Sequence, residues 1–447
     1  MRLSRVFAGI AAAASALTLM PPGAHAAGDI PPAPAAAAAS AIDWPQFRFN
    51  DARIGVNPFE RVLNVQNVPS MAVQWQAQLG ALVDYSSPAV VGGVAYIGST
   101  DGRLWAYPAD GCGQSLCTHP LWRSVSLAQI IDSPTVAGGI VYVGSQTSRN
   151  SAAGLLNAFT AAGCGAPTCA PLWQGLAGAQ SILQSSPAVA DGMVYVAAFD
   201  GNLYAFMAAG CGAPTCNPVW TGRTGGSIES SPTVVAGVVY VGSDDGHLYA
   251  FDAHGCGGAT SCSPLWSAAV GGPVFSSSPA VAGGVVYIGS QHALAAFAAG
   301  GCGVPTCTPL WRAIEHNQFF NGSPAVANGR IYIGLENGLA VYAAAGCGQP
   351  NCPAAWLLFG SGAQAAVISS PTVANGVVYA GRNTGEVLAW RADPCGRPSC
   401  NAIWHGLTGD SIVTSSPTVV NGKLYIGSAE KSAPANIQGR LYVFSLR

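Results

Sequence analysis

The sequence predicts an all-β fold: an eight-bladed β-propeller of four-stranded antiparallel blades, the ring closed by the N-terminal strand completing the last blade. Three observations carry this. Ser-Pro-(Ala/Thr)-Val recurs eight times, with prolines at Pro88, Pro134, Pro187, Pro232, Pro279, Pro324, Pro371 and Pro417, spaced 45 to 53 residues apart. Each copy opens the same succession of short, alternating apolar runs divided by Gly-rich turns. The strand count is offset, because eight first strands meet only seven Trp-bearing fourth strands inside the array.

Within a repeat, Ser-Pro-(Ala/Thr)-Val starts the first strand, where a proline limits ladder hydrogen bonds. A turn such as Asn-Gly or Gly-Gly leads to the second strand, as in GVVYVGS (237–243). Asp101-Gly102, Asp200-Gly201, Asp245-Gly246 and Asn337-Gly338 mark a second turn, with both residues expected at positive φ. A third strand such as LYAF (248–251) follows, and the fourth begins at Trp122, Trp173, Trp220, Trp266, Trp311, Trp356 and Trp404. The eighth fourth strand is AVQWQAQL (72–79), around Trp75, and the last repeat stops after its third strand at LYVFSLR (441–447). The N-terminal strand is therefore expected to seal the ring between the termini, which hides the edges an open array exposes. An open solenoid would not explain this permuted break, and the Gly-rich, alternating content excludes a helical repeat.

Only 9% of the 447 residues are charged, and the formal net charge is -2 with no basic block. Nucleic acid and anionic membrane are accordingly excluded as partners. The N-terminus reads as a signal peptide over 1–26: Arg2 and Arg5, an apolar core from Val6 to Met20, then Ala24-His25-Ala26. Residues 27–42 read as a Pro/Ala-rich linker, leaving 43–447 for the propeller. No cysteine lies near the cleavage site, and no later stretch has the length of a membrane span. An exported monomer is expected, periplasmic or extracellular, with no membrane span and no lipid anchor.

The fourteen cysteines form seven local pairs: Cys112/Cys117, Cys164/Cys169, Cys211/Cys216, Cys256/Cys262, Cys302/Cys307, Cys347/Cys352 and Cys395/Cys400. Every pair lies between a third and a fourth strand, and the junction broken by the termini has none. The even count and complete local pairing in an exported chain point to disulfides. Two thiolates without a recurring histidine make a poor zinc site, and a redox device favours C-x-x-C. Neighbouring pairs are expected well apart at the outer rim.

At these residues the chain resembles the quinoprotein-type propeller repeat, named for dehydrogenases that bind pyrroloquinoline quinone. That repeat carries the motif A-x-D-x-x-T-G-x-x-x-W. The stretch YAFDAHGCGGATSCSPLW (249–266) keeps Ala250, Asp252 and Trp266, with extra residues and two cysteines replacing the Thr-Gly turn. The opening DWPQFRFNDARIGVNP (43–58) is similar to the family's N-terminal segment. The resemblance implies the fold over 43–447. Its members include both quinone dehydrogenases and a noncatalytic propeller lipoprotein that assists outer-membrane protein assembly, so fold alone transfers neither activity.

In this topology the loops from fourth to first strand and from second to third strand share one face, and ligands of propellers sit over the channel there. The candidate ligand-binding residues are therefore those just before each Ser-Pro: Asp84, Tyr85, Asp132, Gln184, Glu229 and Phe275, with Glu315, His316, Asn317, Phe319 and Asn321 from the sixth-repeat insertion EHNQFFNG (315–322). Asp132 and Glu229 have the chemistry of general bases or Ca²⁺ ligands. The resemblance also implies what a quinone-dependent alcohol dehydrogenase would require: adjacent cysteines beside the quinone, a Glu/Asn/Asp Ca²⁺ site, and a cation for the quinone carboxylates. No adjacent cysteines and no C-x-x-C-H haem motif occur, and only Arg149, Arg382 and Lys431 are cations on the inferred face. The expected function is thus an exported, noncatalytic binding or scaffold propeller for a protein or small-molecule ligand at the channel face. The alternative is a dehydrogenase, taking pyrroloquinoline quinone and Ca²⁺, that acts on alcohols, polymeric ones included.

Overall fold

The computed structural model describes residues 42–127, 129–145, 154–178, 182, 184–314, 319–360, 366–409, 415–429 and 439–447. The expected signal peptide, and the linker up to residue 41, lie outside them. The propeller residues form eight small sheets in a ring, an eight-bladed β-propeller. The third blade shows the pattern, with Ala188–Ala190, Met193–Ala197, Asn202–Met207 and Trp220–Arg223 in antiparallel order from the axis outward.

The turns explain the register. All eight first turns place two consecutive residues at positive φ: Gly92-Gly93, Gly138-Gly139, Asp191-Gly192, Ala236-Gly237, Gly283-Gly284, Asn328-Gly329, Asn375-Gly376 and Asn421-Gly422. That is the two-residue primed hairpin, whose twist matches the flanking strands. At the second turns the expectation of two positive-φ residues is corrected. In each of these pairs only the glycine has positive φ: Gly102, Gly201, Gly246 and Gly338. The preceding aspartates instead accept the N–H of Arg103, Asn202 and His247, two residues on. An Asx turn thus supplies the fixity that a second left-handed residue would have given.

Closure is as the strand count predicts. Met71–Gln78 lies antiparallel to Gly439–Leu446, with Trp75 opposite Val443 and Ala77 opposite Leu441. The apolar core is divided among the blade interfaces. Tyr195, Leu203 and Trp220 of the third blade, for example, pack against Val239, Val241 and Phe251 of the fourth. Six of the fourth-strand indoles, those of Trp75, Trp122, Trp173, Trp220, Trp266 and Trp311, cover a left-handed glycine of the next blade, as Trp122 covers Gly163 and Trp173 covers Gly210, where a Cβ would collide with the ring.

All seven expected disulfides are present. Beyond closing its own hairpin, each bridged loop reaches back to the preceding blade. Thr168-Cys169 pairs in parallel with Arg123-Ser124, and the same contact recurs around the ring. This contact makes the two cysteines of each pair unequal. The first cysteines, Cys112, Cys164, Cys211, Cys256, Cys302, Cys347 and Cys395, are exposed. The second cysteines are not. Cys117, Cys169, Cys216, Cys262, Cys307, Cys352 and Cys400 are all buried, none more than 8% exposed, and they pack into the apolar clusters between blades. The reason is the parallel pairing, which draws the second half of the loop against the preceding fourth strand and turns its sulfur inward. Each bridge therefore ties a solvent-facing turn to the core of a blade interface.

Candidate functional site

The channel is filled by the protein's own chain. Residues 44–57 run around its wall and bond to the inner strands in blade order. Trp44 pairs with Val90, and the carbonyls of Pro45, Asp51, Ala52, Ile54 and Gly55 accept N–H bonds from Val136, Val234, Val281, Val326 and Val373. Asn57 closes the circuit by donating to the Val419 carbonyl at 2.9 Å. Only the third blade is held differently, by the Arg53 guanidinium on the Ser186 and Pro187 carbonyls at 2.9 and 3.0 Å.

This stopper accounts for three of the four Ala positions in the repeated motif, Ala89 being the other. Thr135, Thr233, Thr372 and Thr418 each donate their hydroxyl to the proline carbonyl of the next blade, at 2.6–2.7 Å. Where Ala188, Ala280 and Ala325 replace Thr, that carbonyl accepts from an arginine instead. Arg53 reaches Pro232, and Arg48 reaches Pro324 and Pro371. Both guanidinium groups are fully enclosed. Burial, and for Arg48 the nearby Arg53 charge, pulls each down to about 9, so both remain cationic at neutral pH. Gly55 must lack a side chain because a Cβ there would run into Arg48.

Above the stopper the serines before the prolines form a closed ring. Ser87 N–H donates to Ser133 Oγ, and the relay continues through Ser186, Ser231, Ser278, Ser323, Ser370 and Ser416 back to Ser87, every step 2.8–3.0 Å. The serine one residue earlier has a separate task. Ser86, Ser185, Ser230, Ser277, Ser369 and Ser415 accept an N–H from their own second strand. The serine hydroxyls thus hold the inner wall and are engaged in structure.

Among the described residues, two openings lie on the loop face. An axial cup of about 30 Å³ has Phe47 as its floor and Tyr85, Gln184, Glu229 and Ile368 on its wall above the serine ring. That volume suits one or two waters. A wider cleft of about 170 Å³ lies between the fifth and sixth blades, lined by Phe275, Phe319, Phe320, Gln291 and Ser276, and Ser276 is common to both openings. Phe275 and Phe319 are 45% and 38% exposed, and the His292 ring lies 4.9 Å from that of Phe319. Burial, then the charge of Asp244, raises Glu229 to about 7, and burial, then Asp245, raises Asp244 to about 6. The cup therefore carries a carboxyl that titrates near neutrality.

The sequence profile of the family described as outer membrane protein assembly factor BamB matches residues 164–392. The chain belongs to this family of PQQ-like propeller repeats. Among solved structures, BamB from Moraxella catarrhalis superposes with a TM-score of 0.57 at 16% identity, over 84% of this chain and 98% of that one. The quinohemoprotein alcohol dehydrogenase ADHIIG from Pseudomonas putida HK5 gives 0.61 at 13% identity, over 90% and 80%. The computationally designed Ika8 protein gives 0.57 at 14% identity, over 82% and 98%. At these identities the likeness is one of fold. No curated protein sequence matches the chain.

In this BamB-family propeller, the residues singled out by sequence separate into groups. Tyr85, Gln184 and Glu229 meet at the cup, and Phe275 and Phe319 meet at the cleft. Asp84 lines neither opening. Asp132 lines neither as well: it is 1% exposed, stands where other blades carry the first serine, and accepts the Gly144 N–H at 2.7 Å. Burial raises its carboxyl well above the ordinary range. Glu315, His316 and Asn317, with the side chain of Asn321, lie outside the described residues. Phe320 begins the inner strand Phe320–Ala327 and is buried, so the end of the insertion is wall. Of the candidate cations, Arg382 is ion-paired to Glu386 at 2.6 Å, and Arg149 and Lys431 lie outside the described residues. Among the described residues, no three His, Cys, Asp or Glu side chains gather as a metal-ligand set. The stopper arginines, Arg48 and Arg53, were the residues missed. Their signal was present in the sequence as two arginines in a short segment richer in charge than the chain as a whole, ahead of a repeat whose residue after the proline is Thr in some blades and Ala in others.

Proposed function

We propose that the protein is an exported, noncatalytic binding propeller that presents its loop face to a polypeptide ligand. The observation that carries this reading is the stoppered channel. Phe47 stands at the cup, whose open volume is about 30 Å³ among the described residues, and both stopper guanidinium groups are spent on proline carbonyls, which favours a reading without a quinone. The opening left for a ligand is the aromatic cleft, which suits one apolar side chain with Ser276 and Gln291 beside it for main-chain hydrogen bonds. Membership of the BamB family supports a role in protein interaction, and seven disulfides fit an oxidising compartment.

The test is calorimetric titration of the protein with an end-blocked peptide of alternating aromatic and polar residues. Saturable binding that weakens at least about tenfold in Phe275→Ala and Phe319→Ala, a loss of roughly 1.4 kcal/mol, is expected for a side chain seated between the two rings. Binding unchanged in both variants would refute the cleft as the site.

A further inference from the structure

A second surface, on the opposite side of the molecule from any ligand over the channel, is set by the cysteine loops. In each fourth strand the residue after the tryptophan turns its N–H away from its own blade. Seven times that N–H is accepted by a carbonyl in the bridged loop of the next blade: Gln76 by Ser115, Arg123 by Pro167, Gln174 by Pro214, Thr221 by Thr260, Ser267 by Pro305, Arg312 by Pro350 and Leu357 by Pro398, at 2.8–3.1 Å. The eighth is His405, in the seventh-blade strand Trp404–Leu407, beside the junction where the termini meet and no cysteine loop exists. Leu63, Val68 and Met71 replace the loop over the Trp404 indole, whose Nε1 donates to the Met71 carbonyl at 3.1 Å. They stop there. Among the described residues no strand pairs with the outer side of Trp404–Leu407.

We propose that this edge docks a short extended segment of a partner polypeptide by strand addition. Two independent features favour an occupant. His405 is exposed and its outward N–H has no acceptor among the described residues, the arrangement that recruits another strand. Leu407 is 64% exposed, the highest value among the large apolar side chains described. The molecule itself shows what fits. Each of the other seven edges is covered by a run of one to three paired residues, and all seven are parallel. A two-fold-related copy of the same edge would run antiparallel, so the geometry selects a different chain over a second copy. The incoming run would lie beside His405 and Gly406 with an apolar side chain on Leu407.

The probe is an end-blocked peptide copying residues 163–172 with its disulfide closed, added to the intact protein and followed by amide hydrogen exchange. The His405 amide should exchange at least about tenfold faster than that of Arg123 without peptide, and slow when peptide is added. His405→Pro removes the outward donor together with the exposed imidazole and should abolish the slowing. Should that variant fail to fold, Leu407→Lys is the second, expected to weaken the peptide with unchanged thermal stability. The proposal falls if His405 is as protected as Arg123 without peptide, or if millimolar peptide leaves its exchange unchanged. It also falls if sedimentation reveals a dimer that His405→Pro dissociates.

Discussion

Replacing Arg53 by methionine removes the guanidinium while keeping most of the side-chain volume, so the result isolates the hydrogen bonds of the stopper. Arg53 donates to the carbonyls of Phe47, Ser186, Pro187 and Pro232 at 3.0, 2.9, 3.0 and 2.6 Å. Pro187 keeps a donor in Thr135 at 2.7 Å, and the Phe47 bond is only partly buried. The buried Ser186 and Pro232 carbonyls each lose this donor, at about 1–3 kcal/mol apiece. Against that, the variant no longer has to desolvate a buried charge, which returns part of the loss. A net destabilisation of about 2–4 kcal/mol is expected. Urea unfolding followed by tryptophan fluorescence measures it as a lowered midpoint at constant slope. Two controls bracket the result. Arg61→Met, which loses only local bonds to the Pro58 and Glu60 carbonyls, should be near neutral, and Thr135→Val should lose less than Arg53→Met because Pro187 retains Arg53. An Arg53→Met midpoint equal to that of Arg61→Met would refute the stopper as a stabilising element.

Ala236 sits at φ 50° where the other first turns have Gly, Asn or Asp, so Ala236→Asn should raise stability by about 1 kcal/mol in the same assay. Raised acids make the fold less stable as pH rises. Glu229, ordinarily near 4.5 and here about 7, contributes stability that is fully present below 4.5 and lost as pH climbs through 7. Melting at pH 5 and pH 8 should therefore differ less in Glu229→Gln than in the native protein. Asp132→Ser restores the hydroxyl found in most blades and removes an acid whose Oδ1 is buried without a partner, so its melting temperature at pH 8 should increase. Removing one bridge by Cys164→Ser with Cys169→Ser should lower stability by about 2 kcal/mol for the lost crosslink, and by more because the second serine buries a hydroxyl in the apolar cluster that holds Cys169. Because that loop also holds the first-blade edge, the Arg123 and Val125 amides should exchange faster, while peptide binding at the Phe275–Phe319 cleft is unchanged.

What the sequence made legible was what repeats. Proline spacing and the missing eighth tryptophan required the strand Met71–Gln78 to complete the last blade, and local pairing of cysteines required hairpin staples. The parts that escaped are single-copy or depend on contacts across blades. Nothing in the spacing of Arg48 and Arg53 says that they lie in the channel, because that follows from guanidinium bonds to carbonyls of strands more than a hundred residues away. The burial of Cys216 or Cys307 escaped likewise, since it comes from pairing with the preceding blade and leaves no mark in the hairpin's own residues. Asp132 looked like a site acid because it precedes Ser-Pro, as Glu229 does two blades later. The two differ by one position: Asp132 falls on the inward first-serine position, and Glu229 one residue before it. The Asp-Gly turns were misread for a related reason, since the carboxylate at Asp101 fixes the turn through a side-chain bond that dipeptide statistics do not reveal.

The central claim is that the axis is closed by the protein's own chain and that function resides in binding at the loop face. Titration with pyrroloquinoline quinone and Ca²⁺, monitored by quinone absorbance while alcohol oxidation is assayed through an artificial acceptor, tests it most directly. No saturable absorbance change at high micromolar quinone and no turnover are expected. Saturable binding accompanied by oxidation of an alcohol would contradict the claim.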